Sequence, residues 1–589
     1  MKDRIYKSWL LGCLFLAACP ALHAAFTNEA TGQLHALLEK EWDYTMEQSP
    51  TWASQLGDRR WNDRWDDVSL SATEKRYKHV FQVLDGLSKI RRQELSPADQ
   101  LNYDLFKREQ DIAKEAYPFK WHLLPVNQRE GIQLADELAD SLRFESIKDY
   151  EDWIARMRSF TNYMDQTIAV MREGSRFRMV QPRIVMQRVP GQIDKQIVAL
   201  ASQSPFFKPF RTFPADFPSE ETNRLVAAAK EAIEGSVLPA YRRFKDFFTG
   251  EYLPSCFDQI GAWQMPNGKD LYAFLARKYT TTKMTPQQIH DLGLAEVRRI
   301  RGEMESVKGK AGFKGSLEEF FQYLRTDPKF SYKTTNELLT AYRAMAKEID
   351  PALVKLFRSL PRVPYGVEAI PDKIAPDTTA AYYRQPSADG TRAGTFFVNL
   401  YKPETRYKYE IPALSLHESV PGHHFQIALA MEQGELPNFR RYGELTAFVE
   451  GWALYAESLG DEMGFYNDPY AKMGQLTYEM WRAVRLVVDT GMHSLKWDRQ
   501  KAIDFFKENA PKGENDIINE IDRYITWPGQ ALAYKIGELK IKELRTKAQK
   551  ELAEDFDIRE FHDVILLGGA LPLETLDARV RSWLKEKGK

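Results

Sequence analysis

Apolar residues recur at three- and four-residue spacing over most of the chain, which is the pattern of helices that bury one face. The clearest examples are residues 101–117, 150–174, 285–309, 316–327 and 335–349. Thr285 and Pro286 fit the N-cap and the first position of the third of these helices. We therefore predict a mainly α-helical protein.

Two proline-rich stretches, residues 203–219 and 360–375, interrupt the helical pattern and predict loops. One stretch predicts a β-strand instead: Gly394 to Tyr401, "GTFFVNLY", is β-branched and aromatic. At the edge of a sheet, such a strand could pair with an extended peptide through main-chain hydrogen bonds. A short structural hairpin is the alternative for the same residues.

Length and charge limit the classes of protein to consider. A chain of 589 residues is too long for one compact core, so we expect an N-terminal helical lobe at 20–270 and a second lobe at 271–589, with a central cleft between them. The 82 basic and 83 acidic residues give a net charge of -1. This balance offers no electrostatic case for binding nucleic acid or an anionic membrane surface.

The first 19 residues resemble a targeting segment. Basic "MKDRIYK" precedes apolar "SWLLGCLFLAAC", which is too short to span a bilayer. Its end, Leu16 to Cys19, resembles a bacterial lipobox, in which the cysteine is lipidated and becomes the mature N-terminus. We expect export to the periplasmic side of the envelope, with a lipid anchor at Cys19 as the only membrane contact. An ordinary secretory signal cut near Ala24 is the alternative.

The segment "HESVPGHH" begins like the zinc-peptidase signature H-E-x-x-H, with His417 and Glu418, but its fifth position is Pro421. In a regular helix, residues six apart lie on different faces, ~9 Å apart along the axis. His417 could therefore not share a metal ion with His423 in an undistorted helix.

Proline disrupts the helical hydrogen bonds, and the glycine that follows tolerates almost any backbone conformation. If Pro421 and Gly422 bulge out, His417 and His423 regain the one-turn spacing of a metal-binding pair. We therefore favour His423 as the ligand and give His424 a supporting or substrate-binding role; His424 as the ligand is the alternative.

A third ligand is predicted in the helical stretch "TAFVEGWALYAESLG", where Glu450 lies among apolar residues. A lone buried carboxylate is destabilising unless it is paired or binds a metal. Glu457, two turns later, could orient a ligand, and Glu418 could act as general base towards a water molecule. A buried histidine cluster without a metal is the alternative.

Two downstream segments contain further polar residues. Arg485 and His493 interrupt the apolar helix "YEMWRAVRLVVDTGMHS", although an intrahelical ion-pair ladder would also account for its polar stripe. In "IDRYITWPGQALAYKIG", Arg523 could bind a substrate carboxylate in bidentate fashion, as in a carboxypeptidase or dipeptidase. Tyr524 or Tyr534 could donate a hydroxyl to the oxyanion; the alternative is that both are core aromatics.

The blocks "HESVPGHHFQ", "FVEGWALYAE", "RLVVDTGMHS" and "RYITWPGQALAYKIGELK" together resemble the bacterial family known as domain of unknown function 885. The resemblance extends over nearly all of the mature chain. That family is grouped by similarity with gluzincin-type zinc peptidases. The resemblance implies a helical fold with a small β-sheet beside the metal-binding helix, and zinc (Zn2+) as the metal.

We therefore expect an exported zinc hydrolase that cleaves amide bonds in short peptides. The metal ligands would be His417, His423 and Glu450. The catalytic residues would be Glu418, Tyr524, Tyr534 and His493. The substrate-binding residues would be Arg523, Arg485 and His424. The alternatives are a zinc amidase or deacylase acting on cell-wall fragments, and a non-catalytic peptide-binding lipoprotein of the envelope.

Overall fold

The computed structural model describes residues 29–372 and 374–588. Helices account for 71% of the chain and strands for 3%, which confirms the mainly helical class with a small sheet. The predicted targeting segment, with Cys19, lies outside the described residues. No described helix is long and apolar enough to cross a membrane.

The α-helices of the first 350 residues include all five that the periodicity predicts. They are α1 Glu29–Gln48, α2 Pro50–Leu56, α3 Leu70–Ser88, α4 Pro97–Ala116, α5 Ile147–Phe177, α6 Arg183–Met186, α7 Val189–Asp194, α8 Ser219–Ala232, α9 Leu238–Phe247, α10 Leu253–Ser255, α11 Gly268–Thr280, α12 Pro286–Lys310, α13 Leu317–Thr326 and α14 Thr335–Ile349. The predicted cap of α12 forms: the Thr285 hydroxyl accepts from the Gln288 amide, and the Gln288 side chain accepts from the Thr285 amide.

The remaining α-helices carry the candidate metal ligands and catalytic residues predicted from the sequence. They are α15 Ile411–Glu418, α16 His423–Glu432, α17 Asn438–Arg441, α18 Thr446–Ser458, α19 Gly460–Met463, α20 Pro469–His493, α21 Arg499–Asn509, α22 Glu514–Thr526, α23 Ala533–Leu552, α24 Ile558–Leu566 and α25 Leu573–Lys587. Short 3₁₀ helices connect many of them. One of these, Pro205–Arg211, lies inside the stretch predicted as a loop at 203–219.

The sheet has three strands, β1 Tyr365–Ala369, β2 Ala381–Arg384 and β3 Gly394–Val398, in the order β1-β3-β2. β3 pairs in parallel with β1 and antiparallel with β2. The predicted strand at 394–401 is therefore shorter than expected and central, so it has no free edge for a peptide. β1 lies in the stretch 360–375, which the sequence predicted as a loop. The prediction missed it because the strand has only five residues and prolines lie on both sides of it.

The hydrophobic core does not divide at residue 270. The largest cluster of buried apolar side chains contains Met157 and Phe244 as well as Met480 and Trp481. Within it, α20 is buried along its whole length from Met473 to His493. The polar stripe of this helix therefore faces the interior of the protein. Its arginines Arg482 and Arg485 pair with Glu457 and Glu520 of other helices, so the stripe is not an intrahelical ion-pair ladder.

Two glycines bring α18 and α23 into close contact. A Cβ atom on Gly537 would lie 1.8 Å from the carbonyl oxygen of Ala447, and one on Gly451 would lie 2.5 Å from the Gly537 Cα. Backbone atoms cannot move aside as a side chain can, so both positions require glycine. This contact places Glu450 on α18 near Tyr534 at the start of α23.

Gly537→Ala should lower the free energy of unfolding by at least ~2 kcal/mol, because the new methyl group overpacks the α18–α23 contact. The matched control is Gly302→Ala in the middle of α12, where a Cβ atom meets nothing within 4 Å. That substitution should stabilise the helix by up to ~1 kcal/mol. Urea unfolding followed by circular dichroism measures both. Equal stabilities for the two variants would contradict the close contact.

Candidate metal centre

The site begins at a break between two helices. The sequence predicted a bulge within one helix, but α15 ends at Glu418 and α16 begins at His423. A Cβ atom on Gly422 would lie 1.9 Å from the carbonyl oxygen of His417, so only glycine fits there. The restart turns the His423 ring towards His417, and the two ring centroids lie 4.7 Å apart.

The helix that carries Glu450 also holds this break in place. Trp452 of α18 donates its indole N–H to the carbonyl oxygen of Pro421, at 2.7 Å. Trp452 is fully buried, so the hydrogen bond is protected from water. Glu450 and the loop between the two histidines are therefore positioned by the same rigid helix.

Three potential ligand atoms converge here. The Nε2 atoms of His417 and His423 lie 3.5 Å and 3.3 Å from Oε2 of Glu450, and the ligand atoms of these three residues all lie within 4.8 Å of one another. Ligands bound tetrahedrally to zinc at 2.0–2.1 Å are themselves about 3.3 Å apart. Among the described residues, none donates a hydrogen bond to this buried Oε2. The donor set therefore fits a zinc ion.

A second carboxylate contacts the other ring nitrogen of His417. Oε1 of Glu457 lies 2.8 Å from Nδ1 of His417 and 3.1 Å from a terminal nitrogen of Arg482. Burial alone would lower the pKa of His417, but Glu450 and Glu457 raise it to about 9. Both carboxylates thus favour a cation at this ring, whether a proton or a metal ion.

The carboxyl groups of Glu418 and Glu450 differ in their surroundings. Burial raises the pKa of Glu418, although the nearby His417 and His423 partly oppose this effect. Burial would also raise the pKa of Glu450, but His423 and His417 hold it well below its ordinary value. Glu450 is thus kept ionised, as a metal ligand needs to be, whereas Glu418 is better suited to taking up a proton.

These side chains line a cavity of about 290 Å³. Its wall includes Glu418, Glu450, Arg482, Arg523 and Tyr534. It shares lining residues, among them Tyr382 of β2, with neighbouring cavities of about 310, 820 and 620 Å³. The candidate metal centre therefore lies beside several other cavities with which it shares wall residues.

Arg523 and Tyr534 are the two downstream candidates that reach this cavity. A terminal nitrogen of Arg523 donates to the Tyr534 hydroxyl at 2.9 Å and to the Gln530 side chain at 3.0 Å. Burial raises the pKa of Tyr534, so its hydroxyl stays protonated and can donate a hydrogen bond.

Tyr524 and Arg485 lie behind the cavity wall rather than in it. The Tyr524 hydroxyl accepts from Nε of Arg485 at 2.8 Å and from the Trp481 indole at 2.9 Å. Arg485 also pairs with Glu520, at 3.0 Å. The geometry therefore does not support a catalytic role for Tyr524 or direct substrate binding by Arg485.

His493 and His424 also point elsewhere. His493 accepts from the Ala262 amide and lies 2.9 Å from the carbonyl oxygen of Tyr524. His424 contacts the Tyr383 hydroxyl at 2.9 Å and the Val363 carbonyl at 3.0 Å. Neither lines the cavity, because both nitrogens of each ring are engaged by groups elsewhere in the protein. Their predicted catalytic and substrate-binding roles are not supported.

Three cavity residues had no signal in the sequence. Arg129 lies between helices in the N-terminal half, Tyr383 lies on β2, and Glu444 precedes α18. None belongs to a motif or to a periodic stripe. Only the tertiary structure brings them to the site.

The chain belongs to a bacterial family described as protein of unknown function (DUF885), whose model matches residues 50–580. This confirms the family resemblance. A solved structure titled "putative lipoprotein" from Colwellia psychrerythraea matches with a TM-score of 0.89 and 27% identity, over 95% of this chain and 99% of that chain. A "putative lipoprotein of unknown function" from Shewanella oneidensis matches with a TM-score of 0.68 and 16% identity, over 92% and 99%. No curated protein matches.

His493→Gln should flatten the acid dependence of stability. Burial lowers the pKa of His493 from 6.5 to about 4, so between these values the unfolded chain binds a proton that the folded protein does not. The contribution of neutral His493 to stability is therefore fully present above pH 6.5 and is lost as the pH falls towards 4. The variant should lose ~2 kcal/mol less between pH 7 and pH 5. Urea unfolding at both pH values tests this; equal losses would refute it.

Proposed function

We propose that the protein is a zinc-dependent hydrolase that cleaves amide bonds in short peptides. One observation carries the proposal: Nε2 of His417, Nε2 of His423 and Oε2 of Glu450 converge within 4.8 Å on the wall of a cavity that also exposes Glu418. Three protein ligands of nitrogen and oxygen, with one position left for substrate or water, are typical of catalytic zinc sites.

When bound, zinc acts as a Lewis acid, which polarises a carbonyl group and lowers the pKa of water. The protein's own groups account for the proton transfers. Glu418 takes a proton from the water that attacks the scissile carbonyl carbon and passes it to the amine nitrogen as the C–N bond breaks. Its raised pKa suits both uptake and release of the proton.

Tyr534 is placed to stabilise the negative charge that develops on the carbonyl oxygen. Its hydroxyl accepts a hydrogen bond from Arg523, which polarises the O–H group and makes it a stronger donor. A preorganised donor aimed at the developing charge contributes more than the same group in solution.

The similarity to two structures titled as lipoproteins supports the expectation of an envelope protein. We propose that the chain is exported and anchored by a lipid at Cys19, with its catalytic cleft facing the periplasm. Its substrates would then be short peptides present in the periplasm.

His423→Ala should abolish stoichiometric zinc binding, whereas His424→Gln should retain it. The first substitution removes a ligand atom, and the second changes a ring that lies against Tyr383 and Val363. Metal content after equilibrium dialysis, measured by atomic emission, distinguishes them. The opposite pattern would make His424 the ligand, and no zinc in the wild-type protein would overturn the metal assignment.

Glu418→Gln should keep the zinc but lower kcat by roughly 10²–10⁴-fold, because it removes the general base while leaving all three ligands. A peptide library digested with wild-type protein, with the variant and with a chelator, and read by mass spectrometry, tests this. Wild-type turnover by the variant would exclude Glu418 as the base. No cleavage by zinc-loaded wild-type protein would exclude the hydrolase.

A further inference from the structure

Two arginines, Arg129 and Arg523, lie near Glu520 in one part of the cavity wall. Glu520 interacts electrostatically with three arginines, Arg129, Arg485 and Arg523. It lies 3.0 Å from Arg485 and 3.5 Å from Arg523. The two tyrosines between them, Tyr524 and Tyr534, are neutral because burial raises the pKa of each hydroxyl. Glu520 is therefore shared among three guanidinium groups, of which Arg129 and Arg523 line the cavity.

Arg129 is the arginine of this group that lacks a counter-ion. The described residues offer its guanidinium the ring of Trp527, 5.8 Å from Cζ to the centroid, but no ion pair or hydrogen bond. The adjacent Glu130 is occupied by the Trp527 indole N–H, at 2.8 Å. Burial and the nearby Arg523 lower the pKa of Arg129 to about 10, so it remains charged at neutral pH.

Arg523 has donor capacity left as well. Its terminal nitrogen donates to two neutral groups, Gln530 and Tyr534, and among the described residues its buried Nε has no hydrogen-bond partner. Arg129 and Arg523 both line the cavity that contains Glu418. A partly buried guanidinium group with unused donors is better satisfied when an anion binds to it.

A carboxylate is the anion that matches two guanidinium groups in a peptide-sized cavity, because its two oxygens accept paired N–H donors. Tyr534 links this position to the reaction, since it contacts Arg523 and we place its hydroxyl at the reacting carbonyl. An anion held by Arg129 and Arg523 would thus lie close to the bond that is cleaved.

We propose that Arg129 and Arg523 bind the C-terminal carboxylate of the substrate, so that the protein removes residues from the C-terminus of short peptides. This inference rests on the proposed hydrolase function and specifies its substrate class. An internal segment of a long chain has no carboxylate to offer here, so endopeptidase activity should be weak.

The test compares N-acetylated pentapeptides of one sequence as free acids and as C-terminal amides. Amidation should lower kcat/KM by roughly 100-fold or more, because two guanidinium groups of the cavity wall then lose their anion. Arg129→Met should lower kcat/KM for the acid and largely abolish the preference for acid over amide. The matched control is Arg211→Met, which makes the same chemical change in a neighbouring cavity and should behave as wild type.

A binding measurement supplies a readout besides turnover. By titration calorimetry with the Glu418→Gln protein, the free acid should bind at least ~10-fold more tightly than the amide. Adding Arg129→Met should remove this difference while the zinc content stays unchanged. Arg523→Met should do the same, but it also removes a partner of Tyr534, so Arg129→Met is the decisive variant.

The outcomes separate the two proposals. If zinc-loaded wild-type protein cleaves neither acid nor amide, the hydrolase proposal fails. If it cleaves both equally well, or if Arg129→Met keeps the preference for the acid, the carboxylate-binding assignment alone is overturned.

Discussion

The break between α15 and α16 is the constraint on which the candidate site depends. In an uninterrupted helix, His417 and His423 would lie ~9 Å apart along the axis. Because the second helix restarts at His423, the two rings instead approach to 4.7 Å. The hydrogen bond from Trp452 to Pro421 ties this restart to α18, the helix that carries Glu450. This hydrogen bond therefore links the segment between the two histidines to the helix that supplies the third potential ligand.

The packing of α18 extends this arrangement to the other side of the cavity. The close approach of Gly451 and Gly537 brings α23 against α18. Tyr534, in the first turn of α23, thereby enters the same cavity as Glu450. Side-chain chemistry at the site thus relies on backbone contacts that tolerate no added methyl group, which ties the stability of the fold to the geometry of the centre.

Buried charges around the site occur in shared sets rather than in simple pairs. Glu457 serves both His417 and Arg482, and Glu520 serves both Arg485 and Arg523. A buried ion pair contributes little net stability, because the loss of hydration offsets much of the attraction. The role of these sets is better explained by the side chains that they hold in position around the cavity. Arg129, which has no such partner, marks the place where a ligand can complete the set.

The sequence by itself determined the helical class, the bounds of five helices within a few residues, the family, and the spacing that singled out His417, Glu418, His423 and Glu450. These features are local, since periodicity and a proline-glycine break act within one or two turns of the chain. Only the tertiary structure decided which polar residues meet. Arg482, Arg485 and His493 share one stripe of α20, yet of the three only Arg482 lines the cavity, because α20 is enclosed by neighbours on every side. Arg129 reaches the site from nearly 300 residues before His417, a distance in sequence over which no local pattern carries information.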